Sequence, residues 1–417
     1  MDFTDTPEEA TFRTEARAWL EANAELRDPN EAAPSIIAAR EDPDEVQRAQ
    51  EWQAKKFDAN WACLTWPEEY GGRSARSIES VIWNQEEGKF RVPANIFGIG
   101  IGMAGPTLMV HGTDEQKAKW LPAMARGDEV WCQLFSEPDA GSDLAGLRMS
   151  AKRDGDDWVV NGQKIWTTGA HYCKWGILVT RSDPEVPKHA GLTYFVVDME
   201  SEGIEIRPIK QINGAMHFNE VFFSDVRIPD AFRISEVGNG WQVSITTLMN
   251  ERASVGGGAG RGGFRDLINL ARQTEIGGRS ALEDASVRQQ MADIYVKIKG
   301  LEYTGYRTLT ALSRGQTPGP EASLAKLVGA PLGQQLASFA IDIQGAAGAL
   351  SEEASPIQEG AWQEAYLSSP GLRIAGGTDE IMRNIIAERV LRLPPEMRVD
   401  KKIAFREVPT GPPSAGA

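Results

Sequence analysis

The apolar period of this chain changes twice, and that constrains its fold more than any other feature. Up to about residue 130 the spacing is helical: Phe12, Ala16, Trp19 and Leu20 fall on one helical face, and Glu41 to Phe57 reads as a polar helix with a narrow apolar side. Thr113-Asp114-Glu115 opens a further helix, a cap residue followed by acids near the positive end of the helix dipole. From about 131 the texture becomes that of strands. Trp158-Val159-Val160, Asn161-Gly162 and Gln163 to Trp166 predict a hairpin turning at Asn-Gly. Further strands are predicted at Gly176–Thr180, Thr193–Val197 and Glu220–Phe223. From about 240 the helical period returns in Leu282–Leu312, Leu324–Ile343 and Ile381–Leu393, with Pro394-Pro395 as a stop.

Helices, strands, helices in that order predict an α+β chain of three domains: 1–130 helical, 131–235 β and 236–396 helical, with 397–417 as a flexible tail. The 417 residues suffice for such a division. A net charge of −15 argues against a nucleic-acid footprint, which needs clustered cations. Val92–Gly112 is uncharged and long, yet its prolines and glycines suit a broken buried helix better than a membrane span. The acidic start is unlike a signal peptide. Cys63, Cys132 and Cys173 are widely spaced, which fits a reducing, cytoplasmic setting without structural zinc or disulfides.

Two glycine-bearing stretches bear on ligand binding. Gly258-Ala259-Gly260-Arg261-Gly262-Gly263 matches G-x-G-x-x-G, but a dinucleotide loop needs a preceding strand. Here Trp241, Ile245, Leu248 and Met249 lie at helical spacing, so close helix packing is the expected reading. Residues 132–146, CQLFSEPDAGSDLAG, offer hydroxyls at Ser136 and Ser142 and backbone amides near Gly141; on physics alone a ligand loop and a plain connection are equally good readings.

LFSEPDAGSDLAGL, WVVNGQKIWTTGA and IAGGTDEIMRNIIAERVL together resemble the acyl-CoA dehydrogenase family, in its order and spacing, from about Phe12 to Pro395. The resemblance implies an N-terminal helical domain, a middle β-barrel-like domain and a C-terminal four-helix bundle, with flavin adenine dinucleotide (FAD) between the last two. It implies removal of a Cα proton from an acyl-CoA thioester by a carboxylate while the Cβ hydride moves to flavin N5. Electrons would pass to an electron-transfer flavoprotein, and the assembly would be a homotetramer or dimer, or a mixed tetramer. Phe135, Ser136, Gly141 and Ser142 match positions along the flavin edge and CoA entrance. Trp166 and Thr168 match the aromatic and hydroxyl beside the ring, and Thr378 with Glu380 matches a cofactor contact at the last helix. Arg272 and Gly345 are substitutes for two further cofactor contacts whose usual motifs are altered here.

Many relatives place their base where this chain has Gly376. A branch that includes the isovaleryl and long-chain enzymes carries it instead just before an arginine, and Asn250-Glu251-Arg252 matches that position. The resemblance therefore implies Glu251 as the base and Arg252 near the CoA end, in an enzyme of the bacterial fatty-acid or sterol-degradation type. The backbone N–H of Gly376 remains a donor to the thioester carbonyl, where enolate charge builds. A glycine there also frees volume, which suits a branched or bulky acyl group. A flavin monooxygenase, an acyl-CoA oxidase and a non-catalytic subunit are alternative readings on the same fold.

Overall fold

The computed structural model describes residues 5–28, 42–255, 263–313, 323–350 and 360–409; the side chains of 252–255, 309, 312 and 313 lie outside that description. The N-terminal part is helical. Thr6 and Glu9 form a reciprocal cap on α1 (Pro7–Asn23), whose Phe12, Ala16 and Leu20 are buried as the spacing predicts. α2 (Pro43–Asp58) and α3 (Ser77–Glu87) complete a core of tryptophans in which Trp61 and Trp83 stack at 4.8 Å. A two-stranded ribbon, β1 (Glu25–Leu26) with β2 (Phe90–Arg91), ties the ends of this unit.

The uncharged run is indeed broken: a π-turn, Gly100–Ala104, leads into α4 (Gly105–His111). Gly105 is needed because a Cβ there would meet Trp66 Cζ2 at 2.2 Å. No described helix is long and apolar enough to cross a membrane. Thr113 caps α5 (Asp114–Arg126) together with Gln116.

The middle part is one eight-stranded sheet: β3 (Trp131–Leu134), β4 (Ser150–Asp154), β5 (Asp157–Thr168), β6 (Trp175–Arg181), β7 (Leu192–Asp198), β8 (Ile204–Ile209), β9 (Phe218–Pro229) and β10 (Arg233–Ile234). Their order is β10-β7-β6-β4-β5-β9-β8, with β3 parallel to β6. All seven residues of β6 are buried, which suits its apolar run Trp175–Val179 at the sheet centre.

The predicted hairpin at Asn161-Gly162 is corrected. β5 runs straight through both residues, and the turn lies earlier, at Gly155-Asp156, with Gly155 at φ +65°. Asn161-Gly162 instead marks a bulge against β9: the register shifts between Val160 and Gly162. Gly162 is required there because a Cβ would stand 2.9 Å from the Met149 backbone.

The C-terminal part comprises α6 (Gly240–Val255), α7 (Phe264–Gln273), the ribbon β11 (Glu275–Ile276) with β12 (Arg279–Ser280), α8 (Ala285–Ser313), α9 (Ser323–Ile343), α10 (Ala361–Leu372) and α11 (Asp379–Ile385). Leu267, Ile294, Leu336, Phe339 and Trp362 form its core. A π-turn, Ile386–Val390, ends the last helical run a little before the predicted proline stop. Of the G-x-G-x-x-G stretch, Gly258 to Gly262 lie outside the described residues. The segment before them is helix α6, not a strand, so the topology of a dinucleotide loop is absent at that point.

The predicted flexible tail is corrected only over its described part, up to residue 409; residues 410–417 lie outside the described residues. Phe405 is buried, its N–H donates to the Val186 carbonyl at 2.9 Å, and Ala404 bridges to Pro187. The composition of this stretch is polar, but one aromatic ring and one aspartate have specific partners on the sheet domain.

Candidate active site

The site grows from the end of β3. Phe135 packs edge-on against Tyr194 with ring centres 5.9 Å apart, and the next residue, Ser136, is half-buried. The Ser136 carbonyl accepts the Ile165 N–H at 2.9 Å, joining this loop to β5 one residue before Trp166. Glu137 then turns inward. Its carboxylate accepts from Lys164 Nζ at 2.8 Å and from the Arg148 and Met149 backbone N–H groups at 2.6 and 3.0 Å. Lys164 is fully buried and also donates to the Phe135 carbonyl at 3.0 Å. Burial pushes the Lys164 ammonium below its ordinary pKa, and the Glu137 charge opposes that. The stem of the loop is therefore pinned from inside. Its tip is open: Gly141 has nothing within 4 Å of where a Cβ would stand, and Ser142 is exposed.

Trp166 sits at a second register shift, between Lys164 and Thr167, with φ +61°. A bulky residue in the left-handed region costs on the order of 1–3 kcal/mol, and such outliers gather at functional sites. The bulge turns the indole outward, leaving it 55 % exposed, with an edge-on ring contact to Phe218 at 5.9 Å. Thr168, half-buried, pairs with Phe218 across the sheet.

Glu251 lies on α6, half-buried. Gln133 Nε2, on β3 and three residues before Ser136, donates to its Oε2 at 3.4 Å. The structure thus brings together Glu251, Gln133 and the loop that begins at Phe135. α6 is located by Thr247, one turn before Glu251, whose hydroxyl meets Thr107 Oγ1 at 2.9 Å and Tyr194 OH at 3.0 Å, all buried. The Arg252 side chain falls outside the described residues.

The third stretch forms the start of α11. Gly376 and Gly377 have φ +65° and +95°, a left-handed pair that favours glycine at both positions. Lys326 Nζ donates to the Gly377 carbonyl at 3.2 Å. Thr378 is the N-cap, its hydroxyl oxygen accepting the Ile381 N–H at 3.2 Å. Asp379 is buried, bound through Oδ2 to Arg373 Nε and Nη2 at 2.8 and 2.6 Å, while Oδ1 has no hydrogen-bond partner among the described residues. Glu380 is exposed and reaches Arg383 at 3.4 Å. Thr378, Asp379, Glu380, Arg373 and Gln334 line an open cavity of about 280 Å³.

Arg272 and Gly345 are exposed positions of the helical part: Arg272 bonds Asn269 at 3.4 Å, and Gly345 takes φ +56° after α9. Sequence reasoning missed Glu137, Lys164, Gln133 and Thr247. A charged pair 27 residues apart carries no local signature of burial, and only the strand period of β5, which turns Lys164 inward, could have marked it.

Three family models match the chain in order: the acyl-CoA dehydrogenase N-terminal domain over residues 6–128, the middle domain over 132–226 and the C-terminal domain over 238–391. Acyl-CoA dehydrogenase IpdE1 of Mycobacterium tuberculosis is 35% identical over 390 residues, covering 93% of this chain and 98% of that protein. Acyl-CoA dehydrogenase FadE34 of the same organism is 37% identical over 372 residues, 89% of this chain and 49% of its own length. Among solved structures, the Tcur3481-Tcur3483 steroid ACAD superposes with TM-score 0.79 at 28% identity, covering 95% of this chain and 100% of that one. The chain belongs to the acyl-CoA dehydrogenase family. It is an oxidoreductase, an acyl-CoA dehydrogenase, as the three joined motifs imply.

Proposed function

We propose that this protein introduces the α,β double bond into a bulky, sterol-derived acyl-CoA thioester, with Glu251 as the base. The observation that carries this reading is the Gln133–Glu251 contact at 3.4 Å, which sets a carboxylate on α6 beside the strand that feeds the Phe135–Ser142 loop. Gly376 has no side chain to serve in its place. The sterol assignment rests on the similarity to a steroid ACAD and on the space a glycine leaves at 376.

The residues present fit FAD. An indole held outward by a strained bulge is an uncovered aromatic face suited to a ring ligand, and the loop beside it ends in an open, amide-rich tip at Gly141 and Ser142. Phe135, Ser136, Trp166 and Thr168 would hold the flavin ring and Thr378 with Glu380 the far end. Bound FAD would supply the acceptor for the Cβ hydride. Glu251 removes the Cα proton. The Gly376 N–H is the donor assigned to the thioester oxygen by the family resemblance, where it would favour the enolate as the proton leaves. By the family resemblance, Ser142 and Arg252 are the residues assigned to the CoA moiety. Reducing equivalents pass to an electron-transfer flavoprotein, and the chain assembles as a tetramer or dimer, with itself or with a related subunit.

The test is anaerobic titration of the flavin-loaded protein with straight-chain and sterol-side-chain CoA thioesters, following flavin absorbance. Bleaching by the sterol class is expected. Glu251→Gln should slow it by about 10²–10⁴-fold. Unchanged bleaching in that variant rules out Glu251 as the base, and no bleaching by any thioester rejects the dehydrogenation.

A further inference from the structure

The loop from Glu137 to Leu147 is held from a second side, by groups that the reaction does not use. Lys188, only 6% exposed, lies in the connection between β6 and β7. Its Nζ reaches both oxygens of Asp143, at 2.8 and 2.9 Å, and Asp400 Oδ2 at 2.5 Å. Asp143 directly follows Ser142. Arg181, also buried, donates to the carbonyls of Ala145 at 2.5 Å, Leu147 at 3.3 Å and Lys188 at 2.6 Å. The Phe405 ring lies 3.6 Å from the Arg181 guanidinium carbon and 5.3 Å from that of Arg148. The segment Asp400–Glu407 thus closes over two cations that bond the Ser142 loop, Lys188 through Asp143 and Arg181 through the Ala145 and Leu147 carbonyls. Arg406 adds an ion pair to Glu185 at 2.6 Å.

We propose that Lys188 and the docked segment Asp400–Glu407 form a strap that positions the Ser142 loop for the CoA moiety. The physical argument is one of shielding. Asp143 is more than half exposed and would gain little from a lysine in water. Asp400 and Phe405 remove the Lys188 and Arg181 heads from solvent, where each hydrogen bond to the loop is electrostatically stronger. The inside pin at Glu137 fixes the loop's first residue. The strap fixes the stretch after Ser142. Only the tip between them is left to meet a ligand. Lys188 is a positioning residue in this scheme. It acts through Asp143, and the scheme rests on the reading of Ser142 as a CoA-facing residue.

The experiment uses the full-length, flavin-loaded protein and the variants Lys188→Met, Lys188→Arg, Asp400→Asn and Phe405→Ala. Two readouts are taken: hydrogen exchange of backbone amides in 138–147, and the dissociation constant for free CoA. Lys188→Met and Asp400→Asn should speed exchange in that loop alone and weaken CoA binding about tenfold, near 1.4 kcal/mol. The turnover number at saturating thioester should stay within a factor of two, and Lys188→Arg should restore most of the affinity. If Lys188→Met does not fold, Asp400→Asn and Phe405→Ala carry the same comparison from outside the sheet. Unchanged exchange in the folded variants overturns the strap, and faster exchange with unchanged CoA affinity overturns its role in binding. A wild-type protein that does not bind CoA sinks the functional reading, whereas the strap itself is then decided by exchange.

Discussion

At the scale of single residues, the site depends on charge placed where water is absent. Lys164 has no exposed surface, and its compensation is the Glu137 carboxylate at 2.8 Å. Glu137→Gln would leave the ammonium without its counter-charge, a change that typically costs ~3–5 kcal/mol. Thermal unfolding at pH 7 should show the loss. The sign of its pH dependence follows from the direction of the Lys164 shift. Burial already holds that ammonium below its ordinary value of 10.5, and losing Glu137 pushes it lower. The unfolded chain then binds more protons than the folded one, so the variant gains stability as pH rises from neutrality toward that value. A deficit that stays constant with pH would show that Glu137 acts through the Arg148 and Met149 amides and not through the Lys164 charge.

At the scale of elements, the helices were legible in the sequence and the turns of the sheet were not. The face of α1 and the cap at Thr113 appear where apolar spacing and capping chemistry put them, because both signals are local. Asn161-Gly162 misleads because a positive φ serves a bulge as well as a hairpin, and only the partner strand β9 distinguishes them. Phe135, Ser136, Gly141, Ser142, Trp166 and Thr378 were marked as candidates through the motifs around them. Their supports, Glu137, Gln133 and Thr247, were not, since each gains its partner from a distant part of the chain. The same holds for Glu86, fully buried at the end of α3, which binds Arg13, Arg17 and Lys89 at 2.9, 3.0 and 2.7 Å. Burial raises the Glu86 carboxyl, but these three cations outweigh it and bring its pKa down to about 2. A depressed carboxyl stabilises the fold above its ordinary range and loses that contribution as pH falls toward 2. Glu86→Gln should therefore destabilise the α1–α3 contact by about 1.5–3 kcal/mol at pH 7, and by progressively less below pH ~4. Urea melts followed by tryptophan fluorescence, which reports the adjacent Trp61–Trp83 stack, would reveal any failure of the two curves to converge in acid.

At the scale of the whole molecule, the three parts of the chain meet at one buried hydroxyl. Thr247 belongs to the C-terminal part, Thr107 to the N-terminal helices and Tyr194 to the sheet, and their oxygens lie within 2.9 and 3.0 Å of it. His111 Nε2 adds a second tie from α4 to α6, at 2.8 Å to Thr246 Oγ1. Glu251 stands one turn beyond Thr247, so the carboxylate inherits its place from an agreement among all three parts. Thr247→Val keeps the shape and removes the hydroxyl. Tyr194 OH then becomes a buried orphan, at about 1–3 kcal/mol. Displacing a reacting group by ~1 Å can cost 10²-fold in rate. The rate of flavin bleaching by thioester should fall about tenfold or more, because α6 moves relative to the loop that begins at Phe135. Adding Tyr194→Phe removes the orphan, and replacing both partners by apolar groups can be nearly neutral. The double variant should thus recover thermal stability without recovering rate. Recovery of both would mean that the hydroxyls serve only the packing of the interior. Recovery of stability alone would identify the three-way contact as what aims Glu251.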